Sequence, residues 1–174
     1  MKSEILFREA EDDFFYFNKV NSAYKKLAEA VKLTPNHLKS VSLLADVCFI
    51  KGMTKKALSL YKRVEKSSAN AKVFASIASC YNILNDYENA INFCNKALDA
   101  VTFEETSLLP QIFEMKINML IYQKKYKQAY ITFLHAQNII DKNSLKMLYD
   151  MNYELLSEKI AVQKRLRQSN LKIV

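Results

Sequence analysis

Catalysis or metal binding in this 174-residue chain would have to be built from two histidines, three cysteines and two runs of carboxylates. His37 and His135 lie far apart in sequence, with no recurring Asp or Cys at a functional spacing, so neither general acid–base nor nucleophilic chemistry has its constellation. Cys48, Cys80 and Cys94 are odd in number, form no CxxC, and each falls on an apolar helical stripe. They read as small core residues in a reducing compartment, not as zinc ligands or half-cystines. A phosphate cradle needs several glycines so that backbone N–H groups can approach the ligand, and Gly52 is alone. Glu11, the pair Asp12 and Asp13, and the pair Glu104 and Glu105 read as helix-start charges and solvated faces, not as a catalytic dyad. Most aromatics sit on packing stripes, whereas base stacking would want them exposed and interleaved with Lys and Arg. The expectation is a protein that is not an enzyme and needs no metal or cofactor.

The elements that could position any site are helices. One Gly and two Pro in the whole chain leave too few turn residues for strands and loops, and half of the residues are apolar with a quarter charged. The length suits one domain spanning 1–174 with a continuous core. No uncharged apolar run is long enough to cross a membrane, and the first 13 residues carry acids where a signal peptide needs an apolar stretch, which predicts a cytoplasmic protein. The net charge of +8 is uneven. Residues 1–13 hold two basic and five acidic groups, residues 51–66 six basic and one acidic, and residues 159–174 five basic and none acidic. Such polarity either steers an acidic partner or belongs to solvated helix faces.

Four copies of one pattern are in register. An Ala recurs at Ala23, Ala57, Ala90 and Ala129, at spacings of 34, 33 and 39. Four residues on stand Leu27, Tyr61, Cys94 and Phe133, and seven on Ala30, Val64, Ala97 and Ala136. Nine before the Ala come Phe14, Cys48, Tyr81 and Leu120, and twelve before come Glu11, Ala45, Ala78 and Ile117. Offsets of 4 and 7 keep side chains on one helical face. The stretch 71–104 is the clearest copy, two amphipathic helices joined at Leu84-Asn85-Asp86. A single hairpin of this kind cannot bury its apolar face alone and needs neighbours stacked on it.

On these residues the chain resembles the tetratricopeptide-repeat (TPR) family, over about residues 4–143. The resemblance implies an all-α, right-handed superhelical solenoid with repeats at about 4–37, 38–70, 71–104 and 110–143. The helix pairs are expected near 3–17 and 20–33, 37–50 and 54–67, and 71–84 and 87–100. Thr54 and Asp86 are expected as N-caps. Thr102-Phe-Glu-Glu105 reads as a capping box that opens an early, longer helix running to Tyr122, within which Pro110 either kinks the helix or shifts its start. The last pair ends near Ile140, and a capping helix at about 144–168 carries the stripe Leu145, Leu148, Met151, Leu155, Val162 and Leu166. Two features depart from the family. No repeat has its early Trp, and Glu11 and Ile117 replace the small residue of the first helix, which predicts looser packing in repeats one and four.

The first helix of each TPR lines the concave face, so the resemblance implies that a peptide or helix of a partner protein lies there. The inward positions are Arg8, Asp12, Phe15 and Tyr16 in repeat one, and Lys39, Ser42, Asp46 and Phe49 in repeat two. They are Lys72, Ser79, Asn82 and Ile83 in repeat three, and Glu114, Asn118 and Tyr122 in repeat four. Asp12, Asp46, Ser79 and Asn118 form a polar lane beside an apolar lane of Phe15, Phe49, Ile83 and Tyr122. The apolar lane serves either the partner or the core between repeats. Some TPR domains clamp the acidic tail of heat-shock chaperones. Arg8 and Lys72 match that clamp, but Asp12, Leu43 and Ser76 occupy its remaining positions, and Asp12 would repel a carboxylate, so no such tail binding is expected. The partner's identity is not legible, and self-association through a solenoid end or the final helix stays open. Two alternatives remain. One is a TPR-type chaperone for a secreted substrate, against which the sequence pI of 9.3 counts; the other binds nucleic acid or anionic lipid through 51–66 and 159–174.

Overall fold

The computed structural model describes residues 2–140, all of whose regular structure is helical. The helices are α1 (Lys2–Phe15), α2 (Val20–Leu33), α3 (Leu38–Ile50), α4 (Thr54–Glu65), α5 (Ala71–Ile83), α6 (Tyr87–Ala100), α7 (Leu109–Tyr122) and α8 (Tyr126–Ile139). A 3-10 segment, Phe103–Leu108, precedes α7. The chain divides into two compact units, residues 1–86 and 87–174. In the first, α1 packs on α2 and α3 on α4, while α2 packs on α3 and α4 on α5. In the second, α6 packs on α7 and α7 on α8. The expected capping helix at 144–168 lies outside the described residues.

The repeating Ala positions are the core of each hairpin. Ala23, Ala57, Ala90 and Ala129 are completely buried, and so are Leu27, Cys94, Phe133 and the alanines seven residues on. A methyl side chain there lets two helices close on each other while the larger residue at the next turn fills the flank. Ile117 is also fully buried, in a cluster with Phe113, Leu120, Phe133 and Ala136. In α1 the small buried residue is Ala10, one place earlier than the alignment put it, and Glu11 is only half-buried.

Each hairpin turn contains one residue in the left-handed region. Asn18, Gly52, Asn85 and Lys124 have φ of 51°, 73°, 59° and 58°, and all four stand five residues before the repeat's Ala. In three turns the geometry is a Schellman closure. Gly52, Asn85 and Lys124 donate their N–H to the carbonyls of Phe49, Asn82 and Ile121 at 2.8–3.0 Å, and the following residues donate to Cys48, Tyr81 and Leu120 at 2.8–2.9 Å. The first turn is one residue wider, with the Lys19 N–H on the Asp13 carbonyl at 2.6 Å.

Three expectations need correction, and the alternative left open at Pro110 resolves to a shifted helix start. Thr54 is the first residue of α4, behind Met53, which makes no side-chain cap bond. A side-chain cap does form at Asn70, whose Oδ1 accepts from the Val73 N–H at 2.9 Å. Glu105 does turn back on Thr102, accepting from its N–H at 3.3 Å and its hydroxyl at 3.1 Å. The segment that follows is a 3-10 turn, however, and α7 starts only at Leu109. Pro110 stands in the first turn of α7, where a missing N–H costs no hydrogen bond and produces no kink. Finally, Asp13 is not on a solvated helix start. It lies buried in the last turn of α1, with Lys26 Nζ 2.8 Å from Oδ2, and Lys26 also reaches Glu9 at 3.3 Å. The Lys26 ammonium and the Ser22 hydroxyl hold the Asp13 carboxyl below its ordinary range.

Candidate functional site

A groove of about 300 Å³ in the first unit takes its walls from three successive first helices. Helix α1 contributes Phe7, Glu11 and Phe15, α3 contributes Lys39, Ser42, Leu43 and Asp46, and α5 contributes Lys72. Phe7 and Leu43 are buried and form the floor, whereas Phe15 is exposed at the rim. Asp46 is fixed from below, its Oδ1 accepting a 2.6 Å hydrogen bond from the Tyr61 hydroxyl on α4. Burial pushes the Asp46 carboxyl above its usual range, against the opposing pull of the Tyr61 bond and of the Lys72 charge. Tyr61 is raised in turn, by burial and by the Asp46 charge. The result is one oriented, half-buried acceptor flanked by two exposed cations above an apolar floor.

Five sequence-selected residues meet in this groove: Phe15, Lys39, Ser42, Asp46 and Lys72. The rest of the set from this unit lies outside its lining. Arg8 is exposed, with Nε 3.5 Å from Glu4 Oε1 on its own helix. Asp12 and Tyr16 are exposed, Phe49 and Asn82 are half-buried, and Ile83 is exposed. The Ser79 hydroxyl donates to the Ala75 carbonyl at 3.0 Å. In the second unit Glu114 and Asn118 are half-buried on α7, and exposed Tyr122 stacks on Tyr87 with centroids 5.8 Å apart. Sequence reasoning missed Phe7 and Glu11 as groove residues and did not connect Asp46 with Tyr61. Asp46 lies eleven residues before Ala57 and Tyr61 four after it, positions that face each other across a helix hairpin. The second unit holds a different groove, about 360 Å³, which was also missed. It runs between the end of α6, the 3-10 segment, α7 and α8, and is lined mainly by Leu98, Val101, Phe103, Leu109, Phe113 and Ile139, with Asp99 and His135.

One relay of reactive side chains does occur. His37 Nδ1 is 2.6 Å from Ser40 Oγ, and His37 Nε2 is 3.8 Å from Glu4 Oε2. The types match a carboxylate–imidazole–hydroxyl triad, but Ser40 is completely buried, so no substrate carbonyl can reach its oxygen. The pair closes the start of α3 instead. The three cysteines are free and buried, and burial pushes the Cys80 and Cys94 thiols up to about 12, far from the low range of reactive thiolates. Among the described residues no three His, Cys, Asp or Glu side chains are grouped to hold a metal ion, and no helix is long and apolar enough to cross a membrane.

The basic stretch 51–66 is divided by the hairpin. Lys51 donates to Asn21, and Lys56 donates to the Tyr24 hydroxyl at 2.6 Å. Lys62 pairs with Glu65 at 3.0 Å, and Arg63 donates to the Pro35 carbonyl. The second basic stretch, 159–174, lies outside the described residues.

No protein-family model and no curated protein matches the sequence. Solved structures do match. MamA from Desulfovibrio magneticus RS-1 superposes with a TM-score of 0.70 at 20% identity, over 79% of this chain and 75% of that one. Another MamA protein structure reaches 0.72 at 13% identity, over 98% and 93%. YrrB, described as a TPR protein with an unusual peptide-binding site, reaches 0.66 at 14% identity, over 90% and 81%. The fold of this chain is therefore that of the all-α TPR solenoids.

Proposed function

We propose that the chain is a protein-interaction scaffold whose first unit holds a peptide or helix of a partner protein in the groove between α1, α3 and α5. The observation that carries this reading is the convergence of Phe15, Lys39, Ser42, Asp46 and Lys72 from three separate helices over the Phe7–Leu43 floor. A partner side chain would enter on the apolar floor, and its backbone N–H or a basic group would meet Asp46, which Tyr61 already orients. Lys39 and Lys72 would set the charge of the flanking partner residues. Phe49 and Ser79 extend the surface in the same unit, and Glu114, Asn118 and Tyr122 on α7 are proposed as contacts of the second unit on its own. The partner is a protein and no cofactor enters; a cytoplasmic setting belongs to the same proposal.

Panning a random peptide library on the full chain tests this. Selected peptides should lose binding at least about tenfold on Phe15→Ser combined with Lys72→Glu, exposed substitutions that leave the helical signal unchanged. Failure to select any peptide, or peptides that bind this variant equally well, would contradict the groove.

A further inference from the structure

The hairpin turns of the first unit carry apolar side chains that the fold does not use. Tyr16, Ile50 and Ile83 occupy the same place in three repeats, seven residues before the Ala, and are 81%, 60% and 53% exposed. Phe17 is 61% exposed beside Tyr16, and Leu84 follows Ile83 at the surface. Large exposed apolar groups recurring at one structural position mark a surface that something covers.

These turns are neighbours. Lys51, at the second turn, donates to Asn21 in the first turn of α2, and Lys51 and Lys56 Nζ stand 5.6 and 4.9 Å from the Tyr24 ring centroid. A shallow cavity of about 390 Å³ joins Gly52, Met53, Thr54, Lys55 and Lys56 to Leu84 at the third turn. Cations sit among the apolar tips. Lys19 Nζ is 5.0 Å from the Phe17 centroid, and Lys51, Lys55 and Lys56 are exposed. The acids next to these turns are exposed Asp12 and Glu88, half-buried Asp86, and Asp13, which Lys26 already pairs.

We propose that this turn edge is a second docking surface, separate from the groove, and that it seats on an anionic lipid surface. Tyr and Phe rings settle at the level of lipid headgroups, and lysines beside them reach anionic headgroups while their stems stay on apolar ground. A peptide added by backbone pairing would need open N–H groups, but those of Lys19, Met53 and Asp86 are already spent on closing the turns.

Cosedimentation of the full chain with phosphatidylcholine vesicles, with and without phosphatidylserine, tests the proposal. The chain should sediment with the phosphatidylserine vesicles, release as salt rises, and ignore phosphatidylcholine alone. Tyr16→Ser with Phe17→Ser, and separately Lys19→Glu with Lys55→Glu, should each lower partitioning at least about tenfold with an unchanged circular dichroism spectrum. Absence of a phosphatidylserine preference, or undiminished binding in either pair, would overturn the proposal; the latter would place the binding on another surface. A dimer of the free chain that the Tyr16→Ser, Phe17→Ser pair abolishes would overturn it as well, by making the edge a contact between copies.

Discussion

Helix α3 in the first unit and helix α7 in the second are both the leading helix of a hairpin, yet they spend their exposed flanks differently. Helix α3 closes on α4 through Ala45 and Cys48 and leaves Lys39, Ser42 and Asp46 around an open groove. Helix α7 buries Leu109, Ile112, Phe113, Ile117, Met119 and Leu120, and its groove is mostly apolar. The two share the Ala register and the left-handed turn residue, so the hairpin itself does not set this difference. At eighteen, fifteen and eleven places before the Ala both helices are polar, with Lys39, Ser42 and Asp46 in α3 and Gln111, Glu114 and Asn118 in α7. The difference is on the packed face, where the buried Ser40, Val41 and Ala45 of α3 correspond to the bulkier Ile112, Phe113 and Ile117 of α7. Ile117, at the position of the small residue, is completely buried.

That contrast can be broken from the core side. Phe133→Ala removes a completely buried ring from the second unit's cluster and should cost about 3–5 kcal/mol in urea unfolding followed by circular dichroism. Tyr61→Phe changes only one hydroxyl in the first unit, leaving the half-buried Asp46 short of a donor, and should cost about 1–2 kcal/mol by the same measurement. Equal losses would mean that the polar groove is as much a packing element as the apolar cluster.

The turns sharpen the comparison on a smaller scale. A side chain at Gly52 would meet nothing within 4 Å, so Gly52→Ala carries only the left-handed backbone penalty, about 1 kcal/mol. Lys124→Gly should release a similar penalty and raise the unfolding midpoint. No change at either position would refute the equivalence of the two turns.

Acid provides the finest contrast, between two carboxylates of the first unit. Asp13 is held below its ordinary range by Lys26, so its contribution is present above about pH 4 and is lost as pH falls through its folded value. Asp46 is held above that range by burial, so its charged form opposes folding at neutral pH and the penalty is relieved as pH falls through its folded value. Urea midpoints followed from neutral to acid pH should show a flatter acid loss for Asp13→Asn and a steeper one for Asp46→Asn. The reverse order would contradict both assignments.

Much of this was legible in the sequence, and the exceptions have physical causes. The Ala register at 23, 57, 90 and 129 marks hairpins because close approach of two helices admits little else, and it placed most helix ends within two residues. The left-handed turn residue was read only at Gly52; Asn18 and Asn85 are of the type that tolerates it, whereas Lys124 carries no such signal. Asp13 looked solvated beside Asp12 because its partner, Lys26, is on another helix. In the groove, the inward positions of α3 followed from the family resemblance. Phe7 and the Tyr61 hydroxyl did not, since a floor residue and a hydrogen bond across a hairpin depend on tertiary packing.

The central claim is that partner recognition belongs to the α1–α3–α5 groove. A photoreactive benzoylphenylalanine placed at Ser42 on the groove wall, and in a second protein at exposed Lys25 on α2, tests it most directly in cells. The account predicts a defined protein adduct from position 42, lost when Lys72→Glu is added, and none from position 25. Adducts of the same protein from both positions, or none from position 42, would contradict it.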